Sequence, residues 1–434
     1  MLLLFMSGPL RADAGGVYEG VATCAGSTCH GRPEGNGQVV RQDELAHWQD
    51  RGSPGGAHSR AYDALASARG MRIAGALGLG AATSAPACLG CHATYAPGRQ
   101  GARYQLSDGV GCESCHGAAS GWLASHYTVR GTHADNVAHG MIALDRPQVR
   151  AGVCLDCHFG SAEPGHFVTH RMMAAGHPRV SFELDLFSAQ QQHWDEDADY
   201  AARKGRSDHV RLWAVGQAEA VRRSVSLFAR PGFGSQGLFP EFYFFDCHSC
   251  HRQIDDNPAR PHGFEVNPSR PIPYGTPPYN DENMILLSAV ARVLVPGAAS
   301  DFDNAVRSFH AAIGQGRGQA AAAARLADAA GRLGSAVGAS PARPDAAFEV
   351  VAAIASRAIA PRFTDYEGSV QAVMAIDTLL NALVHDGRIT VGAAAGIRGN
   401  INRAYDAVRA PNSYNPAAFR AALGDAVHAV EVLK

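Results

Sequence analysis

The chain has 434 residues, of which 46% are hydrophobic and 18% charged, and its formal net charge is −2. This length is enough for two or three globular domains, and the small net charge argues against nucleic acid as a partner. Beyond the first residues, no stretch has the roughly 18 uninterrupted apolar residues of a membrane helix, so we expect no integral membrane span.

The N-terminus begins with a short apolar run, Met1–Met6, and continues with small and polar residues up to Ala14. An apolar run that ends in an Ala-x-Ala site is typical of a secretory signal peptide, although no basic residue precedes this one. We expect residues 1–14 to be such a peptide, complete or truncated, with cleavage after Ala14. A disordered tail is the alternative.

All ten cysteines lie in five pairs, and a histidine directly follows each pair. Four pairs have the pattern C-x-x-C-H, and the first has the wider pattern C-x4-C-H. Such motifs attach c-type haem, because the two thiols add to porphyrin vinyl groups and the adjacent histidine binds the iron. The five sets are Cys24, Cys29 and His30; Cys88, Cys91 and His92; Cys112, Cys115 and His116; Cys154, Cys157 and His158; and Cys247, Cys250 and His251.

Paired cysteines can also form disulfides or zinc sites, but neither requires a histidine after every second cysteine. Composition alone would give about 0.01 C-x-x-C-H matches in such a chain. The sequence therefore predicts five covalently attached haem c groups. At the first motif, the longer loop also allows a Cys24–Cys29 disulfide, which would reduce the number of haems to four.

We expect residues 15–253 to form a pentahaem cytochrome c domain with little regular structure. Glycines, prolines and short polar runs interrupt this region, and porphyrins would supply its apolar core. Residues 254–279 contain seven prolines and predict a linker or a strap. Short helices are predicted in the first region at 42–50, 57–69, 183–191 and 209–229.

From residue 280 onward cysteine is absent and alanine dominates. Helical periodicity predicts an α-helical bundle over 280–434, so the fold class is mainly α. This half could be a structural lid on the haem domain or a surface for dimerisation. In the second case the protein would form a homo-oligomer through the helical domain. The predicted helices are 282–295, 301–314, 318–337, 345–359, 364–385, 390–409 and 415–433.

Each iron needs a second axial ligand or is left open, and histidine is the first choice. Methionines 141, 172 and 173 could also bind. Spacing alone does not pair these candidates with the five motifs. The histidines in or beside the haem region are His47, His58, His126, His133, His139, His166, His170, His177, His193, His209 and His262.

The segments A-H-S-R-A-Y at 57–62 and G-V-G-C-E-S-C-H-G at 109–117, with a Ser-His pair at 125–126, resemble a known family. It is the family of multihaem c-type cytochromes headed by the tetrahaem electron acceptor of hydroxylamine oxidoreductase. The resemblance covers roughly residues 18–160, with four motifs in matching order, and implies closely stacked haem pairs. It further implies that His126 caps the haem on His30, that His58 caps the haem on His158, and that the haem on His92 lacks a strong protein ligand.

The chain departs from this family in its C-x4-C-H motif, its fifth motif and its helical C-terminal half. The segment F-V-T-H-R-M-M-A-A-G-H-P at 167–178 resembles distal-ligand segments of larger multihaem oxidoreductases. This resemblance makes His170 and His177 the next candidate ligands, followed by His133. These extra histidines could close the site on the His92 haem.

Five haems on one short domain must lie close together, and an iron with two histidine ligands does not bind substrate. The sequence therefore favours electron transfer between redox partner proteins, in the periplasm or outside the cell, and no catalytic residue is assigned. The alternative is an oxidoreductase that acts on a small nitrogen or sulfur compound at one open iron. The C-x-x-C-K motif of ammonia-forming nitrite reductases is absent, because Lys204 and Lys434 lie far from any cysteine.

Overall fold

The computed structural model describes residues 15–35, 41–233, 235–236, 239–251, 277–343, 345–358 and 365–434. The signal peptide expected at 1–14 and nearly all of the linker expected at 254–279 lie outside these residues. The chain divides into two compact units. The N-terminal unit comprises residues 1–167, 171–179 and 188–206, and the C-terminal unit comprises 168–170, 180–187 and 207–434.

Short helices joined by irregular chain build the N-terminal unit. Among its described residues, the 3-10 turns are Pro54–Ala57, Ala82–Ser84, Leu106–Asp108 and Ala119–Gly121, and an isolated bridge pairs Tyr18 with Gln100. Helices α10 and α11 have residues in both units. The α-helices up to residue 206 are α1 (Val21–Cys24), α2 (Glu44–Gln49), α3 (Ala61–Ala66), α4 (Ala68–Leu77), α5 (Pro86–His92), α6 (Cys112–His116), α7 (Leu123–His126), α8 (His133–Ala138), α9 (Pro147–His158), α10 (His170–Ala174), α11 (Leu184–Gln190) and α12 (Ala198–Lys204).

Local sequence explains where these helices start and stop. Pro86 and Pro147 occupy first helical positions, where the missing N–H costs nothing. Thr132 and the Asp at position 135 form a capping box at the start of α8, and Gly78 ends α4 in the left-handed conformation. The apolar clusters of this unit are small, and one of them contains only Ala119, Trp122 and Met141 as buried members.

Long helices dominate the C-terminal unit. Two short strands, β1 (Ser235–Gln236) and β2 (Phe239–Pro240), form an antiparallel pair with Ser235 opposite Pro240. Two 3-10 turns cover Phe242–Phe244 and Pro411–Ser413. The helices are α13 (His209–Ala229), α14 (Glu282–Leu294), α15 (Pro296–Gln315), α16 (Gln319–Gly338), α17 (Ala346–Ala358), α18 (Tyr366–His385), α19 (Val391–Ala407) and α20 (Pro416–Glu431).

The core of the C-terminal unit forms around α13 and α18. Helix α13 packs along α16 and α14, and α18 packs against α17, α19 and α14. Both helices are apolar on most of their circumference, so both are buried on several sides, with Trp213 fully inaccessible. Aromatic rings of Phe228, Tyr279 and Phe309 meet edge to face beside them.

The structure confirms the mainly α fold class, and the predicted helices of the C-terminal half agree with the observed ones to within a few residues. The largest difference is at α15, which begins at Pro296 rather than at 301 because proline fits the first helical turn. Residues 207–434, which include both the fifth motif and the helices from α13 onward, lie in one compact unit. The fifth motif consequently belongs to the same unit as the helical bundle.

No helix among the described residues is both long enough and apolar enough to cross a membrane.

Replacing Gly216 of α13 by alanine is expected to destabilise the protein. A Cβ there would lie 2.5 Å from Cβ of Leu184, so packed backbone would have to move. We expect a loss of about 1–3 kcal/mol in the free energy of unfolding. The matched control is Gly396→Ala on α19, where a Cβ meets nothing within 4 Å and better helix propensity should stabilise by up to about 1 kcal/mol. Denaturant unfolding of both variants checks the difference, and equal effects would contradict it.

Candidate haem-binding sites

The C-x-x-C-H motifs are single helical turns whose last residue is the proximal histidine. Helices α5, α6 and α9 end at His92, His116 and His158. At the fifth motif, the N–H of His251 donates to the carbonyl of Cys247 at 2.8 Å, which closes the same kind of turn. Residues three and four apart lie on one face of a helix, so both thiols and the imidazole point to the same side.

The first motif reaches a similar arrangement through a wider loop. Helix α1 ends at Cys24, and the N–H of Cys29 then donates to the carbonyl of Gly26 at 2.8 Å. The N–H of His30 donates back to the carbonyl of Cys24 at 3.2 Å. None of the ten cysteines, all of which lie in the described part of the chain, forms a disulfide.

Thiols of different motifs approach one another in the N-terminal unit. Cys91 and Cys157, from the second and fourth motifs, lie with His166 in a group whose ligand atoms are all within 4.8 Å. The thiol of Cys24 in the first motif lies beside that of Cys112 in the third, and its interaction with Cys112 is the main cause that lowers the pKa of Cys24. The attachment points of the first and third motifs, and of the second and fourth, are therefore adjacent.

Each of the five proximal histidines has a second histidine ring opposite it. The ring centroids of every pair are between 5.9 and 6.3 Å apart. Four pairs lie within the N-terminal unit and one within the C-terminal unit. The pairs, proximal residue first, are His30 and His126 at 5.9 Å, His92 and His177 at 6.1 Å, His116 and His193 at 6.3 Å, His158 and His58 at 6.2 Å, and His251 and His170 at 6.3 Å.

This separation fits two imidazoles on opposite sides of one metal ion. An imidazole nitrogen binds a transition metal at about 2.0–2.1 Å, and the ring centre lies about 1.1 Å behind it, so the centroids would be about 6.2–6.4 Å apart. Direct stacking would bring the rings much closer. The residues present thus fit an iron between each pair, with a porphyrin bound to the adjacent thiols.

Hydrogen bonds fix which ring nitrogen is available to the metal. Nδ1 of His92 donates to the carbonyl of Ala61 at 2.8 Å, and Nδ1 of His177 donates to the carbonyl of Pro178 at 2.7 Å. In such rings Nδ1 carries the proton and Nε2 has the lone pair that binds a metal. Gln191 serves two rings, because its side-chain Oε1 lies 2.9 Å from Nδ1 of His58 and its carbonyl accepts from Nδ1 of His193 at 2.7 Å.

Burial favours the neutral, metal-binding form of several rings. Burial is the main cause that lowers the pKa of His116 to about 4, and neighbouring histidines, His193 first, act in the same direction. Burial also lowers the pKa of His58, His126 and His193. A neutral imidazole is the form that binds a metal.

Aromatic side chains hold three of the distal rings. Trp122 meets His126 edge to face at 5.4 Å, and Trp194 meets His193 in the same way at 5.4 Å. In the C-terminal unit, Phe242 meets His170 at 5.5 Å. These contacts restrict ring rotation, so the imidazoles are positioned before an iron arrives.

The structure brings together four of the predicted distal ligands with a proximal histidine. They are His58, His126, His170 and His177, and the first two stand opposite the residues that the family resemblance implies. The ring of His177 faces that of His92, so a histidine is available on the second side of this site.

The ring opposite His116 of the third motif belongs to a histidine that the sequence did not single out as a distal ligand. Among the described residues, Nε2 of His133 lies 3.1 Å from Oδ1 of Asp145, and the ring opposite His116 is His193 instead. His193 was one of eleven histidines in the region, and no local spacing distinguished it. The adjacent Trp194 was the only available signal.

The fifth motif is anchored in the helical unit. The backbone N–H of Cys247 donates to the buried carboxylate of Glu367 on α18 at 3.2 Å. Asp246, also buried, accepts from the N–H of Tyr366 at 3.2 Å and from the N–H of Ser249 at 2.7 Å. The start of α18 therefore fixes the position of this motif.

Comparison with known proteins identifies a class. Residues 23–117, which contain the first three motifs, match the family model described as "Cytochrome c554 and c-prime". No curated protein and no solved structure matches the chain. Together with the helical fold, the match supports a multihaem c-type cytochrome that works in electron transfer. Such cytochromes bind haem c covalently and are typically periplasmic or extracellular.

Replacing Glu113, inside the third motif, by glutamine is expected to destabilise the N-terminal unit. Its buried carboxylate accepts from the N–H groups of Glu19 at 2.9 Å, Gly20 at 2.7 Å and Ala119 at 2.6 Å. The glutamine side chain is uncharged and has an NH2 donor in place of one carboxylate oxygen, so one of the three backbone N–H groups would lose its acceptor. We expect a loss of about 2–4 kcal/mol in the free energy of unfolding.

The control for this substitution is Glu34→Gln, at an exposed glutamate of the same unit. It should change stability by less than about 0.5 kcal/mol. Thermal unfolding of the haem-loaded protein measures both variants. A Glu113→Gln protein as stable as the control would show that the three N–H contacts do not hold the motif.

Proposed function

We propose that this protein is a pentahaem c-type cytochrome that carries electrons between redox partner proteins. The observation that carries the proposal is the set of five histidine pairs, each with ring centroids near 6 Å and each next to a cysteine pair. When bound, haem c supplies a reversible one-electron couple. The chain's part is to hold each ligand pair and to exclude other ligands.

The ligand sets follow from the pairs. Each haem would be attached through the two cysteines of a motif and held by the proximal histidine and the histidine opposite. Two strong nitrogen ligands keep the coordination the same in both oxidation states, so little rearrangement accompanies electron transfer. The assigned distal ligands are His126, His177, His193, His58 and His170, in the order of the motifs.

Close approach of the motifs supports transfer between haems. Cys91 and Cys157 come within 4.8 Å of each other, although they belong to different motifs. Porphyrins attached at these sulfurs would lie edge to edge or stacked. Both arrangements bring the haems close enough for fast electron transfer. The N-terminal unit would then hold four neighbouring haems, and the C-terminal unit would hold the fifth.

The proposed setting is the periplasm or the cell exterior, because covalent haem attachment takes place outside the cytoplasm. The apolar run at residues 1–6 supports export through a signal peptide. The resemblance of residues 18–160 to a tetrahaem electron acceptor supports other redox proteins as partners. An oxidoreductase with one open iron is the competing function, and the spin state of the oxidised haems distinguishes the two.

Intact mass of the exported protein should show five haem increments that survive acid–acetone extraction. Thioether bonds are covalent, so extraction that removes non-covalent haem should leave the mass unchanged. Four increments, with Cys24 and Cys29 joined in a disulfide, would contradict the assignment of the first motif. Tryptic peptides that contain each motif locate the missing group.

Replacing His193 by alanine should convert one haem from low spin to high spin. The haem on His116 would lose its second nitrogen ligand, and electron paramagnetic resonance of the oxidised protein should gain one high-spin signal. His133→Ala is the matched control, because His133 contacts Asp145 and is exposed. A high-spin signal from the control and none from His193→Ala would reverse the assignment. A high-spin signal in the wild-type protein would favour the oxidoreductase.

A further inference from the structure

The imidazole of His30 meets a carboxylate at its Nδ1 side. Glu44, the first residue of α2, places Oε2 3.0 Å from Nδ1 of His30. Its Oε1 accepts a hydrogen bond of 3.1 Å from the backbone N–H of Gln42, which fixes the carboxylate. The Glu44 side chain is only 16% exposed, so the contact is partly shielded from water.

Four of the other axial histidines meet neutral oxygens at Nδ1. A carboxylate differs from these acceptors because it carries a full charge and forms stronger hydrogen bonds. The first haem site is therefore chemically distinct from them. The neutral contacts are His92 with the carbonyl of Ala61, His177 with the carbonyl of Pro178, His193 with the carbonyl of Gln191, and His58 with the side-chain oxygen of Gln191.

The cations near this site contact groups other than Glu44. The Arg41 guanidinium contacts Asp43 at 3.1 Å and Asp195 at 3.0 Å, and His47 lies 3.5 Å from the same Asp43. Arg32 donates to the side-chain oxygen of Gln42 at 3.1 Å. In the part of the chain that the structure describes, Glu44 is therefore the charged group that meets the His30 ring directly.

We infer that Glu44 lowers the reduction potential of the haem held by His30 and His126, an inference that rests on the proposed function. A carboxylate that accepts the Nδ1–H bond makes the ring a stronger donor through Nε2. The ferric state carries one more positive charge than the ferrous state, so a stronger donor and a nearby negative charge both favour it. Glu44 acts through His30 and is a positioning residue that sets a potential.

The test is Glu44→Gln in the full, haem-loaded protein, followed by a spectroelectrochemical titration. The amide keeps the size and an acceptor oxygen but removes the charge. At a fixed electrode potential, the ratio of reduced to oxidised haem at one centre should rise about tenfold, which is about 59 mV for a one-electron couple. Glu44→Asp keeps the carboxylate and should recover at least part of the wild-type potential.

The ring geometry identifies the centre that moves. The rings of His30 and His126 are nearly parallel at 19°, those of His251 and His170 are tilted at 42°, and the other three pairs lie within 14° of perpendicular. Aligned imidazoles add their effects on the iron d orbitals and give a rhombic low-spin signal, while crossed imidazoles cancel them. The most rhombic of the low-spin signals should therefore disappear on reduction at a higher potential in Glu44→Gln.

Asp145→Asn is the matched control, because it removes a carboxylate 3.1 Å from a histidine that faces no proximal ring. Its five midpoints should stay at the wild-type values. A Glu44→Gln protein with five low-spin haems and unchanged midpoints, or an equal shift in the control, would overturn the role of Glu44. A wild-type protein without a haem at the first motif, or with a high-spin iron there, would instead overturn the proposed function at that site.

Discussion

The structure depends on one geometric constraint: the two imidazoles of each pair face one another with ring centroids 5.9 to 6.3 Å apart, a separation that fits an iron between them. In the N-terminal unit this constraint replaces the packing that orders most small domains. Its helices run from four residues in α1 to twelve in α9, lengths that are marginal in isolation. Their positions come from long-range contacts, such as the Glu113 carboxylate that joins the third motif to residues 19 and 20.

The sequence predicted the motifs and the helices well, because both have local patterns. A C-x-x-C-H motif is a local pattern within one helical turn, and the C-terminal helices carry apolar periods and caps such as Asn415 before α20. Distal ligands have no local pattern, since they depend on where distant chain segments meet. Family resemblance supplied His58 and His126, but His193 and the carboxylate of Glu44 required coordinates.

The fifth motif shows that composition and contacts group the chain differently. Cysteine and histidine content placed Cys247 with the other motifs, yet its contacts go to the start of α18 and its partner His170 lies in the same unit. As proposed, the unit that contains the helical bundle would hold a haem of its own and have a redox role in addition to a structural one. The buried carboxylates of Asp246 and Glu367 bind backbone N–H groups of this motif, so a polar network orders it in place of a long helix.

The proposed ligation also couples folding to haem attachment. Each histidine pair joins residues between 77 and 100 positions apart in the chain. A metal bond that closes so long a loop removes much conformational freedom from the unfolded chain, and closing each further loop inside an existing one costs less. The pairs of His30 with His126 and of His58 with His158 overlap along the chain, so forming one brings the ends of the other together. Haem loading in the N-terminal unit should therefore be cooperative, because each iron that acquires its second histidine lowers the entropic cost of the next.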